Sequence, residues 1–226
     1  MLKKYLTTLL FLASALSAQA SNIQIKHING DVFHLGKKIS KSNTLHYGDT
    51  IKTGEKSLII LKLENYSTIK LNEKSSLKLV KPKIMKSGKT RKGVILKAGS
   101  VFVKAAQKVL SKQKSTFVLS TKFASMGVRG TEFFTAYADS ANDKAKEDIW
   151  MCVKEGQVVI KNRKTKTKIK VNQGEGVQVP YGKNTTPPKP LAWTEKLNWS
   201  MNPSEDVENT VDIRQAYYDL LNVDYD

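Results

Sequence analysis

Few groups in this chain have the chemistry to catalyse. Its 226 residues hold three histidines, His27, His34 and His46, and one cysteine, Cys152. A nucleophilic thiol needs a neighbouring base, and a metal needs several ligands at set spacings. All three histidines precede Cys152, and none sits in an HExxH pattern. Cys152 lies in the apolar run DIWMCVKEG, which reads as a buried, inert thiol. Asp49 follows His46 across a Tyr47-Gly48 turn and gives one weak His/Asp pair. No GxSxG elbow is present. Carboxylates for glycoside cleavage exist at Glu64, Glu73, Glu132 and Glu155, but the sequence puts no two of them at a working separation. GVRGTEF, Gly127 to Phe133, is glycine-rich. It lacks both the GxxxxGK[ST] and the GxGxxG pattern of a phosphate loop, and it runs into β-forming aromatics instead of a helix. These absences favour a binding or structural protein over an enzyme, with no cofactor and no metal expected.

The elements that carry these residues are short strands. SNIQIKHI alternates, NGD turns, and VFHLG follows. SLIILKL is a clean strand, and STIKLNEKSSLKLV keeps Ile69, Leu71, Leu77 and Leu79 on a period of two. A polar loop is expected over 81–93, KPKIMKSGKTRKG. VILKAGSVFVKA reads as strand, Ala98-Gly99-Ser100 turn, strand. IWMCVKEGQVVIKN and TKIKVNQGEGVQVP repeat that plan around glycines. β-Branched residues in short alternating runs, with no capped helix between them, predict an all-β fold. The spacing suits either a β-sandwich or a β-solenoid-like arrangement. The divisions expected are a signal peptide over 1–20, an all-β domain over 21–182, a proline-rich linker over 183–190 and an acidic, aromatic, helical segment over 191–226. LAWTEKLNW suits a short amphipathic helix, and a second helix is expected around Val211 to Leu221.

Export and charge narrow the setting. Lys3 and Lys4 precede an apolar run from Leu6 to Leu16, and Ala18-Gln19-Ala20 fits a cleavage site, so the mature chain is expected to start at Ser21 in the periplasm. No later segment is apolar enough to span a membrane as a helix. The net charge is +18. Residues 21–194 hold 34 lysines and arginines against 12 acids, whereas residues 195–226 hold two against eight. Such a body suits either a lysine-rich solvated face with the acidic tail folded back on it, or an anionic partner such as a cell-wall polymer or lipid headgroups. Arginine occurs only at 91, 129, 163 and 214. Nucleic-acid reading leans on forked arginine contacts, so that class is set aside.

Taken in order, VFHLGKKI, LHYGDTIKTGEKSLIILKLENYSTIKLNEKSSLKL, VILKAGSVFVKA, FVLSTKFASMGVRGTEFFTAY, VKEGQVVIK and VNQGEGVQV resemble the FecR-type periplasmic domain. Its most specific marker, "T…A…RGT.F", matches Thr121, Ala124, Arg129, Gly130, Thr131 and Phe133. The resemblance implies a non-enzymatic envelope module for protein contact, scaffolding or sensing, with an envelope protein as partner. Peptidoglycan or another polyanion is the alternative. In the iron-transport regulator that names the family, a cytoplasmic region controls a sigma factor. This chain opens on an export signal instead, which argues against a direct anti-sigma role.

The marker is expected to form a corner between strands. Gly127 and Gly130 would give the bend its freedom, and Arg129 would tie carbonyls or Glu155. Thr131 would bond the turn, Phe133 would face in and Glu132 out. Candidate contact residues are Lys83, Lys86, Lys89, Arg91 and Lys92 in the 81–93 loop. Trp193, Trp199, Tyr217 and Tyr218 would either pack on the domain or meet a partner.

Overall fold

The structure, a computed structural model, describes residues 23–64, 67–106, 115–137 and 148–208. Apolar residues on a period of two need a second layer to cover them, and here two sheets cover each other. The first sheet runs in the order β1 (Ile23–Asn29), β5 (Leu58–Leu63), β6 (Ser67–Leu71), β8 (Thr90–Ala105), β11 (Thr131–Tyr137), β12 (Ile149–Glu155) and β15 (Gly176–Val179). The second runs β14 (Lys168–Asn172), β13 (Gln157–Asn162), β10 (Ala124–Val128), β9 (Ser115–Ser120), β8, β7 (Ser76–Ile84), β4 (Thr50–Thr53), β2 (Val32–His34) and β3 (Lys37–Lys38). Every described pair is antiparallel except β8 with β9. A solenoid would stack parallel strands, so the all-β fold is the sandwich.

Strand β8 belongs to both sheets. Thr90 to Ile95 pairs with β9, while Gly99 to Ala105 pairs with β11. The turn expected at Ala98-Gly99-Ser100 is therefore a bend within one strand. Gly99 has a φ of 79°, and a side chain there would run into Ser75. Only glycine meets both demands, so the chain changes sheet without breaking its ladder. The expected 81–93 loop is likewise mostly strand. β7 continues to Ile84 and β8 begins at Thr90, which makes a hairpin that the polar composition hid.

Alternation sorts the buried faces. Ile59, Leu61, Val101, Val103, Phe133 and Met151 of the first sheet meet Leu77, Leu79, Leu119, Met126, Val158 and Ile160 of the second in one core. The first sheet is also covered on its outer side. Phe102, Phe134, Ala136, Trp150 and Cys152 point that way and are buried under Leu191, Trp193 and Leu197. This double burial explains why every residue of β11 is inaccessible. Burial also pushes the Cys152 thiol pKa far up, which leaves it an inert core residue.

The cover is a C-terminal strap. The helix expected over LAWTEKLNW is a single 3-10 turn, Ala192–Lys196, followed by irregular chain to Glu208. Leu191, Trp193 and Leu197 must all reach one flat sheet face, and Pro190 and Pro203 bracket the stretch. The strap closes over Lys70, which is fully buried on β6 opposite Phe102. The Lys70 ammonium donates to the carbonyls of Asn198, Ser200 and Val207 at 2.6, 2.8 and 3.0 Å. It also lies 4.3 Å from the centre of the Phe102 ring. The proline-rich stretch before the strap runs beside β15. Thr186 N–H donates to the Gln178 carbonyl, and Lys189 exchanges backbone bonds with Gly176. The helix expected around 211–221, with Tyr217 and Tyr218, lies outside the described residues.

Candidate binding face

The GVRGTEF stretch divides between two elements. Gly130, with a φ of 59°, makes the corner between β10 and β11. The next turn, Glu155-Gly156-Gln157, presses against it. The Thr131 hydroxyl donates to the Gln157 carbonyl at 3.0 Å and contacts the Arg129 carbonyl at 3.3 Å. Gly156 has a φ of 82°, and a Cβ there would stand 2.5 Å from the Gly130 carbonyl oxygen. Gly156→Ala is therefore expected to lower stability by about 2 kcal/mol, from left-handed backbone strain plus this clash. A urea midpoint equal to that of the parent protein would contradict the packed corner.

Two expectations about this corner are corrected. Arg129 is exposed and makes no carbonyl tie or ion pair among the described residues. The guanidinium that ties carbonyls is that of Arg163, which donates to Thr121 and Ala124 at 2.6 and 2.7 Å. Partial burial beside Arg91 lowers its pKa, desolvation being the larger cause. Gly127 is not at the bend. It lies within β10, facing Val118 on one side and Val159 on the other, without a positive φ. Phe133 faces the core as expected.

Gly127 opens onto the uncovered face of the second sheet. The strand registers set three rows across that face. The central row runs Lys170, Val159, Gly127, Val118, Gly93, Val80. On one side lie Lys168, Lys161, Ser125, Ser120, Ile95 and Lys78. On the other, Thr116, Arg91 and Lys83 face each other across β9, β8 and β7. The result is a shallow valine-and-glycine trough edged by cations. Gly93 is required by its surroundings, because a side chain would strike the Val118 carbonyl. Gly127 is not, since nothing lies within 4 Å of where its Cβ would stand. A glycine inside a regular strand weakens the strand and commonly marks a place where another backbone approaches. No bulge occurs in the pairing of β10.

Residues 49–158 match the FecR protein family. The match runs from the approach to β4 to the second residue of β13, so it contains the corner, the hairpin and the β7, β8, β9 and β10 part of the trough, and stops short of Val159. No curated protein is similar to the chain. Two crystal structures of candidate anti-sigma factors from Parabacteroides distasonis share 14% and 15% identity with it, with TM-scores of 0.49 and 0.47. The alignments cover 65% and 62% of this chain, and 64% and 59% of those, so the likeness spans less than two thirds of their length.

The expected contact residues fall in different places. Lys83, Lys86, Lys89 and Arg91 lie on the β7–β8 hairpin, and none has an ion pair among the described residues. Lys92 belongs elsewhere: it turns from the open face and binds Glu64 at 2.9 Å. Trp193 is 2% exposed and packs edge-on against Phe134 and Trp150. Trp199 packs on Phe102. Both tryptophans thus hold the strap to its own domain. Sequence reading missed the uninterrupted lack of acids between Glu73 and Glu132, the signal that could have located the basic face.

Glu132 is a third correction. It was expected to face solvent, yet it is 4% exposed. Alternation does point it away from the core, but Lys104 and Lys154 close over it at 3.1 and 3.3 Å. It lies in a hollow of about 490 Å³ between the first sheet and the strap. The weak His46 and Asp49 pair resolves into a turn. The Asp49 carboxylate accepts from the His46 backbone N–H at 2.7 Å and faces His34 Nε2 at 3.2 Å. Among the described residues, no three His, Cys, Asp or Glu side chains gather to hold a metal.

Proposed function

We propose that this chain is a periplasmic protein-contact module that scaffolds or senses at the cell envelope, and that it grips an acidic, extended segment of an envelope protein along the trough. The observation that carries this reading is Gly127, an in-strand glycine for which neither backbone nor packing gives a cause. An extended chain lying over Val159, Gly127, Val118 and Gly93 would need that flat floor. The cations on either side would pair with its carboxylates, giving steering and register more than raw affinity. The strap already covers the opposite face of the sandwich, which leaves this one open.

The test separates binding from folding. Gly127→Val adds a β-branched residue to a strand with room for it, so the melting temperature is expected to hold or rise. A photo-crosslinking side chain at Val159 is expected to give one defined protein adduct in cells, absent once Gly127→Val is added. A crosslinker at Glu195, on the strap, is expected to give none. An adduct that survives Gly127→Val would refute the trough. Retention on purified peptidoglycan that vanishes with salt, with no protein adduct, would instead favour the polyanion reading.

A further inference from the structure

The β7–β8 hairpin projects beyond the core. Residues 81–89 are all exposed, and Pro82, which has no N–H to give, coincides with a register shift between Val80 and Lys83. Beyond it the ladder resumes through Lys83 with Arg91 and Ile84 with Thr90. The tip closes with Met85 N–H donating to the Lys89 carbonyl, and Gly88 N–H to that of Met85. At this tip Ile84 is 74% exposed and Met85 40% exposed. Lys81, Lys83, Lys86 and Lys89 surround them. Two adjacent bare aliphatic side chains rimmed by lysines form a contiguous apolar patch, and a patch of that kind marks a contact site where a single exposed side chain would not.

A second tip repeats the pattern. The β2–β3 turn carries Leu35, 85% exposed and held at a φ of 51°. Glycine or asparagine would sit there with less strain, so leucine is an expensive choice for a turn. The register points it the same way along the second sheet but leaves it level with Lys78, six residues short of Ile84. His34 faces Ile51, Ile51 faces Leu77, and β7 then runs on towards Ile84. Lys37 follows, exposed.

We propose that this end of the sandwich seats the protein on an anionic lipid bilayer, with Ile84 and Met85 entering the acyl boundary, Leu35 behind them and the lysines at the headgroups. Aliphatic tips gain nothing from a hydrated polymer, whereas a bilayer satisfies both the apolar and the cationic groups. The proposal does not depend on the trough, since a lipid vesicle holds no protein.

The experiment is co-sedimentation of the chain from Ser21 onward with phosphatidylcholine vesicles, with and without phosphatidylglycerol. That chain includes every described residue and omits the apolar run at the N-terminus, which would itself enter lipid. Binding is expected only with phosphatidylglycerol. Removing three cations by Lys83→Gln, Lys86→Gln and Lys89→Gln is expected to weaken it about a hundredfold, at about fivefold for each cation near the surface. Ile84→Asp with Met85→Asp is expected to abolish it, and Leu35→Asn to weaken it while relieving the turn. These positions are exposed, so circular dichroism should match the parent. Equal binding to neutral vesicles, no binding to either, or full binding by the double aspartate variant would each overturn the proposal.

Discussion

Replacing Lys70 with methionine is expected to free the far end of the C-terminal strap and to lower stability by on the order of 3 kcal/mol. Methionine fills much the same space over Phe102, and it removes the cost of burying an ammonium. It also takes the ammonium donor away from the Asn198, Ser200 and Val207 carbonyls beneath the strap. Each such carbonyl costs roughly 1–3 kcal/mol, so three of them outweigh the relief. The strap can return them to water only by lifting, which exposes Trp199 and Val207. Limited proteolysis should then cut within 198–208, and tryptophan emission should shift to the red. A variant as resistant to protease as the parent would refute the latch. The pH dependence gives a second check. Desolvation lowers the Lys70 pKa to about 8, with Asp206 and Glu132 opposing the shift. Between about 8 and the ordinary 10.5, the unfolded chain holds a proton that the folded one has released. Stability therefore rises with pH across that window. The methionine variant lacks this rise, so the gap between the two proteins widens as pH increases.

Removing the chain from Leu191 onward is expected to have the larger effect. The cut strips Leu191, Trp193 and Leu197 from Phe102, Phe134, Trp150 and Cys152. Burial of a large apolar side chain is worth about 1.5–3 kcal/mol, so these three alone account for roughly 6 kcal/mol, comparable with the total stability of many domains. The exposed sheet face would also be a broad aromatic patch of the kind that drives association. The truncated protein should aggregate on expression or melt far below the parent. A soluble truncation with an unchanged melting curve would show that the strap is an accessory. Trp193→Ala alone should lose about 3–5 kcal/mol.

The strands and their inward faces were legible because alternation reports a half-buried surface directly. Phe133 and the run from Ile69 to Leu79 needed nothing further. What alternation does not report is what covers the other face. Glu132 was placed on the correct side of β11, but the lysines that close over it come from β8 and β12. Lys70 looks like any solvent-facing lysine in STIKL, and the carbonyls that receive it begin 128 residues later. Glycine was ambiguous in a different way. The sequence does not distinguish a glycine that ends a strand from one that bends it, such as Gly99, or one that leaves a floor bare, such as Gly127. The trough became visible only when the registers set Val159, Val118 and Gly93 beside it.

The sharing of β8 between the sheets governs how the molecule is assembled in time. β6, β7, β9 and β11 each pair with this strand along one edge, so neither sheet can be completed before it is placed. The two layers have no independent folding unit to fall back on, and the body is expected to form and melt in a single cooperative step. A polypeptide that emerges from its N-terminus must hold β1, β5 and β6 with their apolar faces bare until β8 and then β11 arrive. Such long-range pairing is slow to close and prone to association in the interval. An exported chain of this design depends on being kept apart from its neighbours during that wait.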